Sequence, residues 1–495
     1  MVFIAAAHAF SEVNQQSDRD DISTADLNRV EKVVRPTNDF SKPERFENRQ
    51  GGAGTSFKLV NRNAFSNPSQ NLSFEQQQDF LLGNALFRKV WVSSPSSNHA
   101  SDGLGPLFNA RACQSCHLKD GRGHPPEGDA DATSMLIRLA RGPKNDTEEK
   151  AIKNFQVLNF PDTTYGGQLQ DAAIQGIKAE GKFEISYEET SVTLNGGEVV
   201  NLRKPTYSLR ELSQGPLEAD ITLSPRIAQP MIGLGLIEAI HPSDIIQLAD
   251  EDDINKDGIS GKVPLVRDPG NGSTVLGRFG WKASQPSLRS QNADAFNGDI
   301  GISSPLNKRH YGDCTTAQTQ CLNLATGVQK RLGDTEAPDP VLDLVTFYTA
   351  NLAVPSRRDV SDPIVLAGKK LFYETGCVQC HNPKFVTRKD AGDKEHAFQL
   401  IWPYSDFLLH DMGEGLADNQ QVGRASGREW RTPPLWGIGL TKTVNGHTFF
   451  LHDGRARNLK EAILWHGGEA EKVRNTFRDL AKNEREAIIK FLESL

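Results

Sequence analysis

Two runs of this chain carry residue types that can do chemistry together. Cys113-Gln114-Ser115-Cys116-His117 and, in the second half, Cys377-Val378-Gln379-Cys380-His381 share the spacing CxxCH. Such a run offers two thiols to the vinyl groups of a porphyrin and one imidazole to its iron, the attachment signature of a c-type haem. The competing chemistries fit less well. A structural zinc needs four ligands, and neither run has a second CxxC beside it. A thiol-redox CxxC belongs in a thioredoxin-like βαβ setting, which neither run has. Two covalently bound haem c groups are therefore expected, anchored by Cys113, Cys116, Cys377 and Cys380, with His117 and His381 as iron ligands.

The elements around these runs set the frame. Before the first, Ser73-Phe74-Glu75-Gln76 reads as an N-cap and first turn, with a helix continuing through Phe80, Leu81, Ala85 and Phe87. Leu342, Val345, Phe347, Tyr348 and Leu352 recur at near-helical spacing later on. The second run is preceded by the apolar stretch Val365–Phe372 and followed, at the end of the chain, by a stripe of Ile488, Phe491, Leu492 and Leu495. A helix before CxxCH and another at the end of the unit are what a small cytochrome c packs over its haem. The expectation is a mainly α fold of two cytochrome c-like domains, the first with a long insertion containing a small β-hairpin. Residues 183–191 and 198–208, alternating around Asn195-Gly196-Gly197, supply that hairpin. The boundaries read 1–70 (signal remnant and extended arm), 71–355 (first haem domain) and 356–495 (second haem domain). Polar residues 10 to about 70 suggest a mobile or wrapping arm.

The totals narrow the function. At 495 residues the chain has room for sizeable cores. Net charge −7 and a pI near 6.0 argue against nucleic acid as a partner. A mean hydropathy of −0.49 fits a soluble chain with much loop, and no apolar run approaches the roughly 18 residues of a transmembrane segment. The opening Met1–Ala9 resembles the tail of a secretory signal with an Ala7-His8-Ala9 cleavage site. Cys314 and Cys321 enclose a polar loop and suit a disulfide. Covalent haem attachment also occurs outside the bacterial cytoplasm, so the chain is expected to be periplasmic or secreted.

Two further motifs stand out. Asp253-x-Asn255-x-Asp257-Gly258-x-Ser260 matches the first half of an EF-hand loop, with Pro264 where the bidentate Glu should be, which leaves a looser candidate Ca²⁺ site at Asp253, Asn255 and Asp257. The glycine-rich run Met231–Ile237 suggests close packing against a flat partner such as haem.

From about Phe80 to its end the chain resembles the bacterial dihaem oxidoreductase and peroxidase family, relatives of the dihaem cytochrome c peroxidases and of the dihaem maturase that oxidises a tryptophan pair in methylamine dehydrogenase. The resemblance rests on Phe108–Ala112 with the first CxxCH, Gly277–Ala283, Leu409–Gly415, Arg431–Trp436 and His452-Asp453-Gly454-Arg455. It implies an inter-haem tryptophan at Trp281, a glutamine at Gln291 and an acid at Asp299, shorter by one methylene than the glutamate usual in such peroxidases. It also implies a second axial ligand at His466 for the His381 haem, with Met412 and His410 as competitors. For the His117 haem the relatives either carry a second histidine that leaves on activation or keep the position open; an open sixth position is the expectation here, His124 lying too close in sequence and Met135 being the better-spaced alternative. The activity implied is reduction of hydrogen peroxide at the first haem, with electrons arriving at the second from a small cytochrome or copper protein. The alternatives are a non-catalytic dihaem electron carrier and an oxidase of a protein or organic substrate. The sequence leaves homodimerisation open.

Overall fold

A computed structural model describes residues 19–128 and 133–495; the leader-like Met1–Ala9 lies outside the described residues. The expectation of a mainly α, cytochrome c-like fold is not met: helix makes up 29% and strand 16%. The described residues form seven two-stranded sheets, of which two have strands longer than three residues. The reason lies in the connections. With 43 glycines and 26 prolines, the long segments between helices fold as turns and brief strand pairs, too short to leave a periodic signal.

The elements that position the candidate site are α1 (Phe74–Phe87), β1 (Met135–Ala140), β2 (Lys182–Thr193), β3 (Val199–Arg210), β4 (Thr222–Ile227), α2 (Leu288–Gly298), α3 (Asp339–Ala350), α4 (Pro363–Glu374), α5 (Leu459–Leu464) and α6 (Lys482–Ser494). Helix α1 opens with a capping box: Ser73 Oγ accepts from the Gln76 amide while Gln76 Oε1 accepts from the Ser73 amide. Each CxxCH run follows a helix that crosses a later one at a glycine. A Cβ on Gly83 of α1 would collide with the Leu344 carbonyl and Tyr348 of α3. One on Gly368 of α4 would collide with the Ala487 carbonyl and Phe491 of α6. Aromatic rings fill both crossings, Phe80 and Phe87 against Tyr348 at 4.8 and 5.2 Å, and Phe372 against Phe491 at 5.1 Å.

Strands β1 and β4 pair antiparallel, Met135 opposite Ile227 and Ala140 opposite Thr222. The hairpin β2–β3 turns where Asn-Gly-Gly places it, with Thr193 opposite Val199. It reaches across to the second half of the chain. Tyr207 Oη donates to Asp453 (2.9 Å), Arg203 Nε donates to the Arg455 carbonyl (2.8 Å), and Arg485 donates to the Asn195 carbonyl (3.1 Å).

The polar stretch before residue 70 wraps rather than hangs free where it is described. Phe65 and Ala64 join the largest core cluster. Glu47 is buried in an ion-pair network: it meets Arg357 and Lys369, and Lys369 also meets Glu44 at 2.9 Å. Burial works to raise the Glu47 carboxyl, but the charges of Arg357 and Lys369 outweigh it and hold it lowered. Cys314 and Cys321 are joined as a disulfide with Cα atoms 6.3 Å apart. Among the described residues no helix is long and apolar enough to cross a membrane.

The glycine crossings give a direct test. Gly83→Ala or Gly368→Ala should each lower unfolding stability by about 1–3 kcal/mol, because the added methyl forces backbone apart in a packed core; denaturant titration against the parent measures it.

Candidate haem sites

The first CxxCH opens onto a cavity of about 1380 Å³, counting its solvent-open space, walled by α2, the β1–β4 pair and the 226–234 segment. His117 Nδ1 lies 2.8 Å from the Gln229 carbonyl. A carbonyl only accepts, so Nδ1 carries the proton and Nε2 keeps its lone pair, the form in which imidazole binds iron. Burial pushes His117 down to about 4, so the ring is neutral at physiological pH. The Cys113 thiol goes the other way, pushed up to about 12 by burial and then by the Asp299 charge. A thiol so reluctant to ionise is a poor thiolate ligand or redox nucleophile.

The cavity gathers the three residues expected to act there: Trp281, Gln291 and Asp299 all line it. Asp299 caps the C-terminus of α2, and its Oδ1 accepts from Gln168 Nε2 at 2.9 Å. Burial raises its carboxyl, opposed by the Arg138 charge and the Gln168 hydrogen bond. Sequence reading missed Gln168, and with it Arg138 and Arg226, which also line the cavity from β1 and β4. No motif marks any of them. Met135 lines the same cavity and packs with Ile227 and Trp281. His124 lines neither cavity; its Nδ1 bonds the Pro125 carbonyl at 2.7 Å. The 231–237 run is close-packed, yet Gly233 and Gly235 abut Trp436 and His396, and only Met231 and Leu234 face the cavity.

The second CxxCH lines another cavity, of about 1340 Å³ on the same measure. Here two imidazoles are prepared alike. His381 Nδ1 bonds the Tyr404 carbonyl at 2.9 Å, and His466, just past α5, bonds the Ala462 carbonyl at 2.8 Å. Burial pushes His381 down to about 4, and a charge on His466 would push it further, since both rings look into one space. His410, a competitor for the axial position, has both nitrogens engaged, Nε2 by Asp406 at 2.7 Å and Nδ1 by Glu469 at 2.6 Å. Burial would lower it, but the Asp406 charge holds it well above the ordinary histidine range, as an imidazolium. Met412 lines the cavity too.

Trp281 lines both cavities. Its Nε1 donates to the Ile227 carbonyl at 2.9 Å, and its ring stands edge-on to His452 at 6.5 Å, which in turn stacks on Trp430 at 3.8 Å. Several buried polar atoms on these walls have no hydrogen-bond partner, among them Arg122 Nε, Gln229 Nε2 and His452 Nε2. Largely apolar cavities with thiols and a free imidazole nitrogen at the wall, and unsatisfied donors beside them, fit an amphipathic, carboxylate-bearing macrocycle.

Asp253, Asn255 and Asp257 lie in a turn where one side-chain oxygen of each accepts from a backbone amide. Asp253 accepts from the Gly258 amide (3.2 Å), Asn255 from Asp257 (2.8 Å) and Asp257 from Ile259 (2.8 Å). The other Asp257 oxygen accepts from Gln379 at 3.0 Å, inside the second CxxCH. The turn thus braces that run.

A protein-family model described as "Di-haem oxidoreductase, putative peroxidase" matches residues 46–495. The chain belongs to the di-haem oxidoreductase family. Two haem groups per chain follow from that membership, and the two cavities each present a CxxCH. No curated protein matches this di-haem oxidoreductase.

The His410–Glu469 pair predicts how the protein meets acid. Burial alone would raise Glu469, but the His410 hydrogen bond and charge, with the Asp411 amide and Ser260, hold it down to about 2 against an ordinary 4.5. Its stabilisation is complete above pH 4.5 and is lost as pH falls through about 2. Glu469→Gln should therefore move the acid-unfolding midpoint upward, measured by far-ultraviolet circular dichroism against pH.

Proposed function

We infer that this di-haem oxidoreductase reduces hydrogen peroxide at its first cavity, with electrons delivered through its second. The observation that carries the reading is the inequality of the two cavities. His117 is the sole histidine among the described residues lining the first, beside an acid and an amide, whereas the second sets His381 and His466 over one space. The first haem would be held through His117 and leave room for a small oxidant, and the second would be held through both His381 and His466.

Cys113 and Cys116, and Cys377 and Cys380, would take the vinyl groups, and the Nε2 atoms of His117, His381 and His466 would meet iron. Bound there, haem would supply the electron transfer that peroxide reduction needs. The rest falls to side chains. Reducing peroxide to two waters takes two electrons and two protons, and a proton must reach the outer oxygen as the O–O bond breaks. Asp299, its carboxyl raised by burial, suits that transfer: Oδ1 is held by Gln168, leaving Oδ2 to give and take the proton. Gln291 positions peroxide or water. Trp281, which lines both cavities, would carry electrons between them. The donor would be a small cytochrome or copper protein, and the Cys314–Cys321 disulfide supports a periplasmic setting.

Asp299→Asn should lower peroxide turnover by roughly 10²–10⁴-fold while the resting absorption spectrum stays that of the parent; full turnover in the variant would remove Asp299 from the reaction. Cyanide titration of the parent should saturate at one ligand per chain, and His466→Ala should add a second binding event. A parent that binds no cyanide or carbon monoxide would instead be a closed electron carrier.

A further inference from the structure

The second cavity has a charge imbalance that the protein does not resolve. No Asp or Glu is among its described lining residues, yet Arg122, Arg431 and Arg474 are. Arg474 is paired with Glu471 at 2.7 Å. The other two have no carboxylate within ion-pair distance among the described residues. Arg122 is 7% exposed, and its guanidinium lies over the rings of Phe450 and Trp281, at 5.6 and 6.0 Å, with Nε lacking a hydrogen-bond partner. Arg431 is 3% exposed and gives its N–H groups to neutral oxygens: Gly280 O (3.0 Å), Thr432 O (3.2 Å) and Gln229 Oε1 (3.0 Å). A guanidinium withdrawn from water without an anion is unfavourable, and its planar fork is built for carboxylates. Both line one cavity, and only the charge of Asp406, outside ion-pair distance, acts on Arg431, so the pair calls for carboxylates from a ligand.

We propose that Arg122 and Arg431 form a carboxylate clamp that holds the two propionates of the haem attached at Cys377 and Cys380. The clamp is supplied by both halves of the chain, since Arg122 lies in the loop just after His117 of the first run. It also touches the other site. Gln229 accepts from Arg431 through its side chain and from His117 Nδ1 through its backbone carbonyl, so one residue joins the second cavity's clamp to the first cavity's axial imidazole. Charge at the clamp is thereby felt at both irons. The inference rests on haem occupying the second cavity and is independent of which iron meets peroxide.

The test uses haem-loaded protein. Haem per chain is counted first: a parent without haem at Cys377 and Cys380 would remove the underlying reading rather than the clamp. In Arg122→Gln, loss of a cation beside the haem should favour the ferric form, shifting the midpoint of the His381 haem downward in a spectroelectrochemical titration and displacing its propionate bending band in resonance Raman. Arg122→Lys should keep the midpoint near the parent's but still displace the band. Fully loaded Arg122→Gln with parental midpoint and band would overturn the clamp. If Arg122→Gln fails to load, Arg122→Lys decides alone, a displaced band supporting the clamp and an unmoved one overturning it.

Discussion

A single hydrogen bond, made three times, fixes what these cavities can do. His117, His381 and His466 each give Nδ1–H to a backbone carbonyl, of Gln229, Tyr404 and Ala462. A carbonyl has no proton to offer, so each bond selects one tautomer and sets Nε2 free. Burial then keeps the rings neutral. Reverse any of these bonds and the lone pair would be spent inside the protein. His410 shows that outcome: set between two carboxylates, it is locked as a cation and has nothing to give a metal.

The cavities are held apart, and in touch, by one indole. Trp281 is buried, anchored through Nε1 to β4, and forms wall for both spaces. Around it the chain's halves exchange parts. The hairpin from the first half covers the Asp453–Arg455 turn of the second, and Arg122 passes from the first haem loop into the second cavity. Electrostatics follows the same division. Carboxyl groups line the first cavity, with Arg138 and Arg226 beside them, while the second has guanidinium groups and no carboxyl among its described lining residues.

Much of the site was legible because its signals are local. CxxCH spacing, the Ser73 cap and the Asn-Gly-Gly turn each depend on residues a few positions apart, and each is found where the pattern puts it. The three residues transferred by resemblance, Trp281, Gln291 and Asp299, share one cavity. What stayed hidden depends on distance along the chain. Gln168 reaches Asp299 from a loop with no periodicity, and Glu469 reaches His410 across 59 positions. The mainly α expectation failed for a related reason: strands of two or three residues are made by their partners, not by their own sequence. The 231–237 glycines, expected to pack closely against a flat partner such as haem, pack closely against Trp436 and His396 instead.

The strap at Glu44 and Glu47 bears on how such a chain can be divided. Its carboxylates are matched to Lys369, Arg357 and Lys384 over 300 positions downstream, so the helix ahead of the second CxxCH is finished by the start of the chain. Separating the halves would strand Glu47 without its cations and Tyr207 without Asp453. The attachment run is portable; the compartment around it is not.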